Sequence, residues 1–379
     1  MTSPLDLPFD ADEMLHGLRP WIETESPTFD APAVNRMMDL VQHELAALGA
    51  RVERIPGRMG LGDSVRATMP HPRAGAGGIL LLGHMDTVHP IGTLAKLPFR
   101  RDGAICHGPG LMDMKGGNYV YLDALRKLLA AGIDTPLPVT VLFTPDEEIG
   151  TPSTRALIEA EAKRHDHILV PEPARPDGGA VIGRYAIARF DLQTRGRPSH
   201  AGWALADGRS AIAEMARHVA VIEGMTTEDC TFSLGVFNAG QWVNCVSSVC
   251  DAEVLSMAKT QDQLDAGVER MLALNDDSGD VIMEVRRGVT RPVWEPDQPG
   301  TMAMLALAQD IAGEIGFEIS GSSAGGGSDG NFTGFLGLPT LDSIGVRGQG
   351  LHTLDEHIEV SSLVERARLA AGLFTRLGA

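Results

Sequence analysis

The residues in this chain best suited to chemistry stand in short polar stretches set directly after apolar ones. His84 and Asp86, in "GHMDTVHP" (83–90), follow "GGILLL" (77–82). Asp146, Glu147 and Glu148 follow "VTVLFT" (139–144) and a proline. Glu172 follows "HILV" (167–170) and a proline. His352, in "GQGLHTLDEH", follows "LPTLDSIG" (338–345), and Asp113 lies in "GPGLMDMKGG" (108–117). Each set alone reads as a solvated turn. Together they place imidazoles and carboxylates at one predicted end of several strands. That donor set suits zinc, with Co²⁺ or Mn²⁺ as substitutes. A shared carboxylate can bridge two such ions about 3.5–4 Å apart. Asp86, two residues beyond His84, falls on the same side of an extended segment, where it can accept the ring's other N–H and fix its tautomer. His89 lacks that spacing and precedes Pro90, so it reads as a loop residue. The spacing does not separate Glu147 from Glu148 as ligand or base.

The elements that must position these groups follow from hydrophobic periodicity. Helices are predicted at roughly 12–19, 33–48, 117–132, 154–164 and 301–316. The runs 77–83, 138–144, 167–170 and 338–345 are short, continuously apolar and bounded by Gly or Pro, as strands covered on both faces are. Strands alternating with helices predict a doubly wound, mostly parallel sheet, whose ligands gather outside the carboxyl ends of the strands. Between 184 and 289 the pattern changes. An alternating strand, a helix, two strands, a helix and a strand give the ferredoxin-like order β-α-β-β-α-β. The expected organisation is α/β: a catalytic domain over 1–182 and 292–379, with a ferredoxin-like α+β domain inserted at 183–291.

The chain has 379 residues, with 32 Lys and Arg against 50 Asp and Glu, a net charge of −18. Such a surface repels phosphate backbones and anionic lipids, which argues against nucleic-acid and membrane partners. The four cysteines, Cys106, Cys230, Cys245 and Cys250, form no CxxC pair, and the last two lie in an apolar stretch where buried free thiols are the default. The first fifteen residues have neither a basic nor an apolar leader region, and the expectation is a cytoplasmic protein. "SSAGGGSDGN" (322–331) does not follow a strand with the G-x-G-x-x-G spacing, so a nucleotide-binding reading fails.

The stretches "GHMDTV", "GPGLMDMKGG", "TPDEEIGT", "PEPA", "RPSHAG", "GGGSDGN" and "GLHTLDEHI" occur in the order found in the aminoacylase/carboxypeptidase metallopeptidases, over roughly 78–360. Within that family the chain most resembles the bacterial glutamate carboxypeptidases that cleave folate-like substrates. The resemblance implies two zinc ions per subunit. His84 and Glu172 would hold one, Glu148 and His352 the other, and Asp113 would bridge them, beside a cis peptide to Met114. Glu147 would be the general base. The inserted domain would be a lid that forms a homodimer, and His200 would reach the partner subunit's active site to stabilise the oxyanion. Asn244, Arg291 and Gly327 would contact substrate, Arg291 holding its carboxylate with a guanidinium fork.

The expected reaction is hydrolysis of an amide in a small N-acyl amino acid or short peptide, releasing a C-terminal amino acid. Two rival readings stand beside it. One is an N-acyl-amino-acid deacylase of the acetylornithine or succinyl-diaminopimelate type, which would share every metal residue. The other is a non-catalytic binding relative, against which the intact Glu147 and five intact ligands argue. The chain departs from the family at "LSMAK" (255–259), where many relatives carry Asp-x-Arg. It departs again at "IGRYA" (182–186), close to where the side chain of a substrate would be recognised.

Overall fold

The computed structural model describes Ser3–Ala379 apart from Ala74 and Ala76. At its centre lie four parallel strands, β6 (Val139–Thr144), β3 (Ile79–His84), β7 (His167–Val170) and β14 (Thr340–Asp342). They belong to an eight-stranded sheet of order β1-β2-β6-β3-β7-β14-β8-β13. One flank is β1 (Arg51–Ile55) and β2 (Ser64–Thr68), and the other is β8 (Ala180–Arg184) and β13 (Gly321–Ala324). The pairings β1 with β2, β2 with β6, and β14 with β8 are antiparallel, so only the centre of the sheet is parallel.

The unbroken apolar runs have a direct cause, because side chains alternate across a sheet. Ile79, Leu81, Val139, Val141 and Phe143 enter one core with residues of α1 (Ala11–Glu23), α2 (Ala31–Ala47), α3 (Gly116–Ala130), α7 (Pro299–Ile315) and α9 (Val360–Arg376). Leu80, Leu82, Leu142, Ile168 and Val170 enter a second core, with residues of α4 (Arg155–Ala162) and α8 (Gly330–Phe335). Both faces are covered, hence the absence of alternation. Asp10 and Asp30 cap α1 and α2 by accepting from N–H groups of the first turn.

Two compact units emerge, a large one (Met1–Gly183, Pro296–Ala324 and Ser328–Ala379) and a small one (Arg184–Glu295 with Gly325–Gly327). The small unit is an antiparallel sheet of order β10-β11-β9-β12, built from β9 (Ala186–Arg195), β10 (Cys230–Ala239), β11 (Val249–Ala258) and β12 (Ile282–Arg291). Helices α5 (Ala211–Glu223) and α6 (Gln261–Leu272) share its core with the inward residues Ala188, Phe190 and Leu192 of β9 and Ala252 and Val254 of β11. Its end lies at Glu295, beyond Arg291, because Val293 is buried in this core and Trp294 exchanges backbone hydrogen bonds with Arg184. The single alternating strand expected over 184–196 is broken at Tyr185: Arg184 closes β8 and Ala186 opens β9. Cys245 is exposed, not buried, since it sits in the turn after β10, whereas Cys106, Cys230 and Cys250 are buried. A third, small antiparallel sheet has the order β15-β16-β5-β4, from β4 (Arg100–Asp102), β5 (Ile105–His107), β15 (Gly348–Gln349) and β16 (His357–Glu359). Among the described residues no helix is long and apolar enough to cross a membrane.

Candidate metal centre

The carboxyl ends of the parallel strands bring together the five groups expected to bind metal. His84 is the last residue of β3, Glu147 and Glu148 lie in a short helical turn after β6, and Glu172 follows β7. Asp113 sits in an irregular turn, Leu111–Lys115, that runs straight into α3, and its peptide bond to Met114 is cis. His352 lies in the turn between β15 and β16, with φ of +62°. Close approach of α3 to the strand ends requires glycine at two places. A Cβ on Gly83 would fall 2.1 Å from Asn118 Oδ1, and one on Gly117 would fall 1.9 Å from the carbonyl oxygen of Pro171.

Asp113 divides its carboxylate between two histidines. Its Oδ1 lies 3.2 Å from His84 Nε2, and its Oδ2 lies 3.1 Å from His352 Nε2. Glu172 Oε1 is 3.8 Å from the same nitrogen of His84, and Glu148 Oε2 is 3.2 Å from that of His352. Two groups of donor atoms therefore share Asp113: His84, Asp113 and Glu172, and Asp113, Glu148 and His352. Behind them, Asp86 is fully buried and acts as a hub. Its Oδ1 lies 3.3 Å from His84 Nδ1 and accepts from the Glu147 N–H at 3.2 Å. Its Oδ2 accepts from Thr28 Oγ1 at 2.7 Å and from the Glu148 N–H at 3.3 Å. The backbone carbonyl of Asp86 also faces His84 Nδ1, at 3.0 Å.

The electrostatics call for positive charge. Burial, reinforced by Asp113, pushes the Glu148 carboxyl up to about 8 and raises that of Glu172 well above its ordinary value. Hydrogen bonds to Asp113 and Glu148 push the His352 imidazole up to about 10. Burial would lower His84, yet its bonds to Asp113 and Asp86 raise it well above its usual value. Burial would likewise raise Asp113, but the two imidazoles hold it below the carboxylate range. The protons that neighbouring carboxylates hold on His84 and His352 against burial occupy places that a cation could take. Glu148 Oε1, moreover, is buried without a hydrogen-bond partner. A buried carboxylate oxygen left this way fits a metal ligand, and two imidazoles with three carboxylates are a donor set suited to zinc-class ions.

Residues 80–376 match the description of peptidase family M20/M25/M40. The chain is 32% identical over 376 residues to carboxypeptidase G2 of Pseudomonas sp. (strain RS-16), covering 94% of this chain and 88% of that one. The chain belongs to peptidase family M20/M25/M40. It is also 27% identical over 348 residues to a succinyl-diaminopimelate desuccinylase of Azoarcus sp. (strain BH72), covering 86% of this chain and 88% of that one. The fold matches that of aminopeptidase PepT from Bacillus cereus ATCC 10987, with a TM-score of 0.76 at 22% identity, covering 98% of this chain and 99% of that one. As a member of the M20/M25/M40 family the chain is a hydrolase of the metallopeptidase/amidohydrolase type.

In this M20/M25/M40 chain, sequence reasoning passed over the groups that hold the Asp113 turn. Glu356 is fully buried. Its Oε1 accepts from the N–H groups of Met112 (2.8 Å) and Asp113 (3.2 Å). Its Oε2 accepts from the Gly110 N–H (2.9 Å) and faces His89 Nε2 at 2.6 Å. His89 does lie in a loop, but it is buried and engaged with this carboxylate, so the plain loop reading is corrected. Only the motif "LDEH" hinted at Glu356, and nothing local linked it to a histidine 267 positions earlier. Asn118, on α3, donates from Nδ2 to the carbonyl of His84 at 2.8 Å and ties the helix to the end of β3.

The remaining expected site residues lie in the small unit. His200 is exposed, and its Nδ1 accepts from the Gly202 N–H at 3.2 Å. Asn244 stands in the neighbouring turn, its carbonyl accepting from Ala201 N–H at 2.8 Å. Arg291 is buried at the end of β12, opposite Ile187. Gly327 packs on it so closely that a Cβ would lie 2.6 Å from Arg291 Nη1.

Proposed function

We propose that the protein is a two-zinc carboxypeptidase that hydrolyses the amide of an N-acyl amino acid or short peptide and releases a C-terminal glutamate-type amino acid. The observation that carries this reading is the division of the Asp113 carboxylate between His84 and His352, with a glutamate beside each histidine. His84, Asp113 and Glu172 would hold one ion, and Asp113, Glu148 and His352 the other. When bound, the metals supply Lewis acidity towards the scissile carbonyl and the attacking water. Glu147, buried and held through its N–H by Asp86, takes the proton from that water and passes it to the leaving amine. Asp86 fixes the His84 ring and, through the same carboxylate, the backbone of Glu147 and Glu148. Ligand and base therefore keep one register. Arg291, against Gly327, takes the substrate carboxylate, and Asn244 is a further substrate-contacting residue. His200 stabilises the oxyanion in the partner subunit of a cytoplasmic homodimer formed through the small unit. The exposed Trp203, Phe237, Trp242 and Val243 of the small unit support an apolar interface there.

The glutamate preference is supported by the 32% identity to carboxypeptidase G2. A second reading, deacylation of an N-acyl diamino acid, is supported by the desuccinylase match and by "IGRYA", where buried Arg184 donates to the Gly326 carbonyl at 2.7 Å. A panel of dipeptides and N-acyl amino acids, assayed on zinc-loaded protein, separates them. The carboxypeptidase reading expects the highest kcat/KM on substrates ending in glutamate. Faster turnover of N-succinyl or N-acetyl diamino acids would replace it with the deacylase reading, and no hydrolysis of any amide would overturn both.

A further inference from the structure

We propose that His107 and His357 form a third, surface metal site that takes one divalent transition ion of the imidazole-preferring kind, independent of the dinuclear centre. The two residues face each other across the antiparallel pair of β5 and β16. The neighbouring pair, Gly108 and Glu356, is hydrogen-bonded, Gly108 N–H to Glu356 carbonyl at 3.3 Å. Pairs alternate along an antiparallel ladder, so His107 and His357 occupy a non-hydrogen-bonded position, where side chains stand closest. Their ring centroids are 5.3 Å apart, with planes inclined at 49°.

The donor atoms are prepared as well. His357 Nδ1 lies 2.7 Å from the carbonyl oxygen of Asp355, so it carries the hydrogen and leaves the Nε2 lone pair for a ligand. Burial, with His357 and Arg100 nearby, lowers His107 from its ordinary value, which favours the unprotonated ring that a metal needs. Arg100, its neighbour on β4, pairs with Asp102 at 3.3 Å, which offsets the cation beside the site. The opposite face of the same ladder carries Cys106 and Ile358, both fully buried, so the strands that present the two rings are anchored. Two imidazoles with water completing the shell suit Cu²⁺, Ni²⁺ or Zn²⁺ and not Mg²⁺ or Ca²⁺. An ion here would clamp β5, which leads into the Asp113 turn, to β16, which follows the His352 turn.

The test uses protein whose dinuclear centre is already loaded with zinc. Ni²⁺ is titrated by calorimetry into wild type, His107→Asn and His357→Asn, and thermal melts are taken with and without it. Wild type should bind one further equivalent and melt higher with Ni²⁺. Each variant should lose the melting gain and bind that equivalent more weakly by on the order of tenfold or more, since loss of even an outer partner of a ligand costs about that much. Cu²⁺ spectra should show nitrogen coupling in wild type that diminishes in both variants. The substitutions lie on different strands, so failure of one to fold leaves the other to decide. Equal uptake by wild type and a folded variant, or no further equivalent in wild type, would overturn the proposal. Neither result depends on what the dinuclear centre catalyses.

Discussion

Glu356→Gln changes one oxygen to an NH₂ group at the point that holds the Asp113 turn. An amide can keep the bonds from Met112 and Asp113 through its carbonyl, and His89 can switch tautomer to accept from the new NH₂. Gly110 cannot adapt: its N–H, now 2.9 Å from an oxygen, would face another donor. Stranding a buried N–H costs about 1–3 kcal/mol, and exchanging a charged acceptor for a neutral one costs about 1 kcal/mol for each of the three remaining bonds. The sum, about 4–6 kcal/mol, is a large part of the 5–15 kcal/mol that ordinarily holds a domain. Displacing the turn relieves some of this strain, and the turn carries Asp113. The variant should therefore melt lower and bind metal more weakly by about 10–100-fold, the range for lost partners behind a ligand. Competition with a chromophoric chelator measures the affinity, and a thermal melt of metal-free protein measures the stability. A variant with wild-type affinity and wild-type melting temperature would refute the reasoning.

Glu147→Gln should retain the wild-type metal content, read by elemental analysis, and lose about 10²–10⁴-fold in kcat, the usual contribution of a general base; near-normal turnover would exclude it from that role. In metal-free protein the folded state holds protons on Glu148 (about 8) and His352 (about 10) more tightly than the unfolded chain does. The stability lent by Glu148 is complete below about pH 4.3 and lost as pH rises towards 8, and that lent by His352 is complete below about pH 6.5 and lost towards 10. Metal must displace those protons, so the rise in melting temperature on adding zinc should grow with pH across this window; a gain that shrinks would contradict the assignment. If His200 serves the partner's site, His200→Ala and Glu147→Gln chains, each nearly inactive, should on mixing and subunit exchange recover about a quarter of the active sites. No recovery despite demonstrated exchange would place His200 outside the partner's chemistry.

The parallel centre of the fold was legible because its strands are buried on both faces and so read as unbroken apolar runs. The small unit was legible because its strands alternate, Phe190 and Leu192 inward with Asp191 outward. Strands β4, β5, β15 and β16, of two or three residues, are too short to carry a period, and so the third sheet went unforeseen. His84, Glu148 and Glu172 could be read because each stands just after an apolar run, whereas Asp113 and His352 lie in glycine-rich turns and could be read only as members of the set. Which of their partners lie behind them could be foreseen only where the link is local, as from His84 to Asp86. The link from Glu356 to His89 and the Asp113 turn spans most of the chain, and no spacing announces it. The break at Tyr185 was hidden because β8 and β9, in different sheets, follow one another without a turn signal.

The order of the large sheet bears on how the protein is made. Strand β14 inserts between β7 and β8, although residue 340 is synthesised long after residue 184. A nascent chain on the ribosome therefore completes the whole small unit while β7 and β8 still present open edges, and unpaired edges invite pairing with other chains. His352 emerges after His84, Asp113, Glu148 and Glu172, so the five-residue cluster is complete only after β14 has been made. Only the donor group of Asp113, Glu148 and His352 has to wait for that step, because His84, Asp113 and Glu172 are all made before β14. Chains cut short before Thr340 should aggregate through the unfilled slot whether or not zinc is supplied.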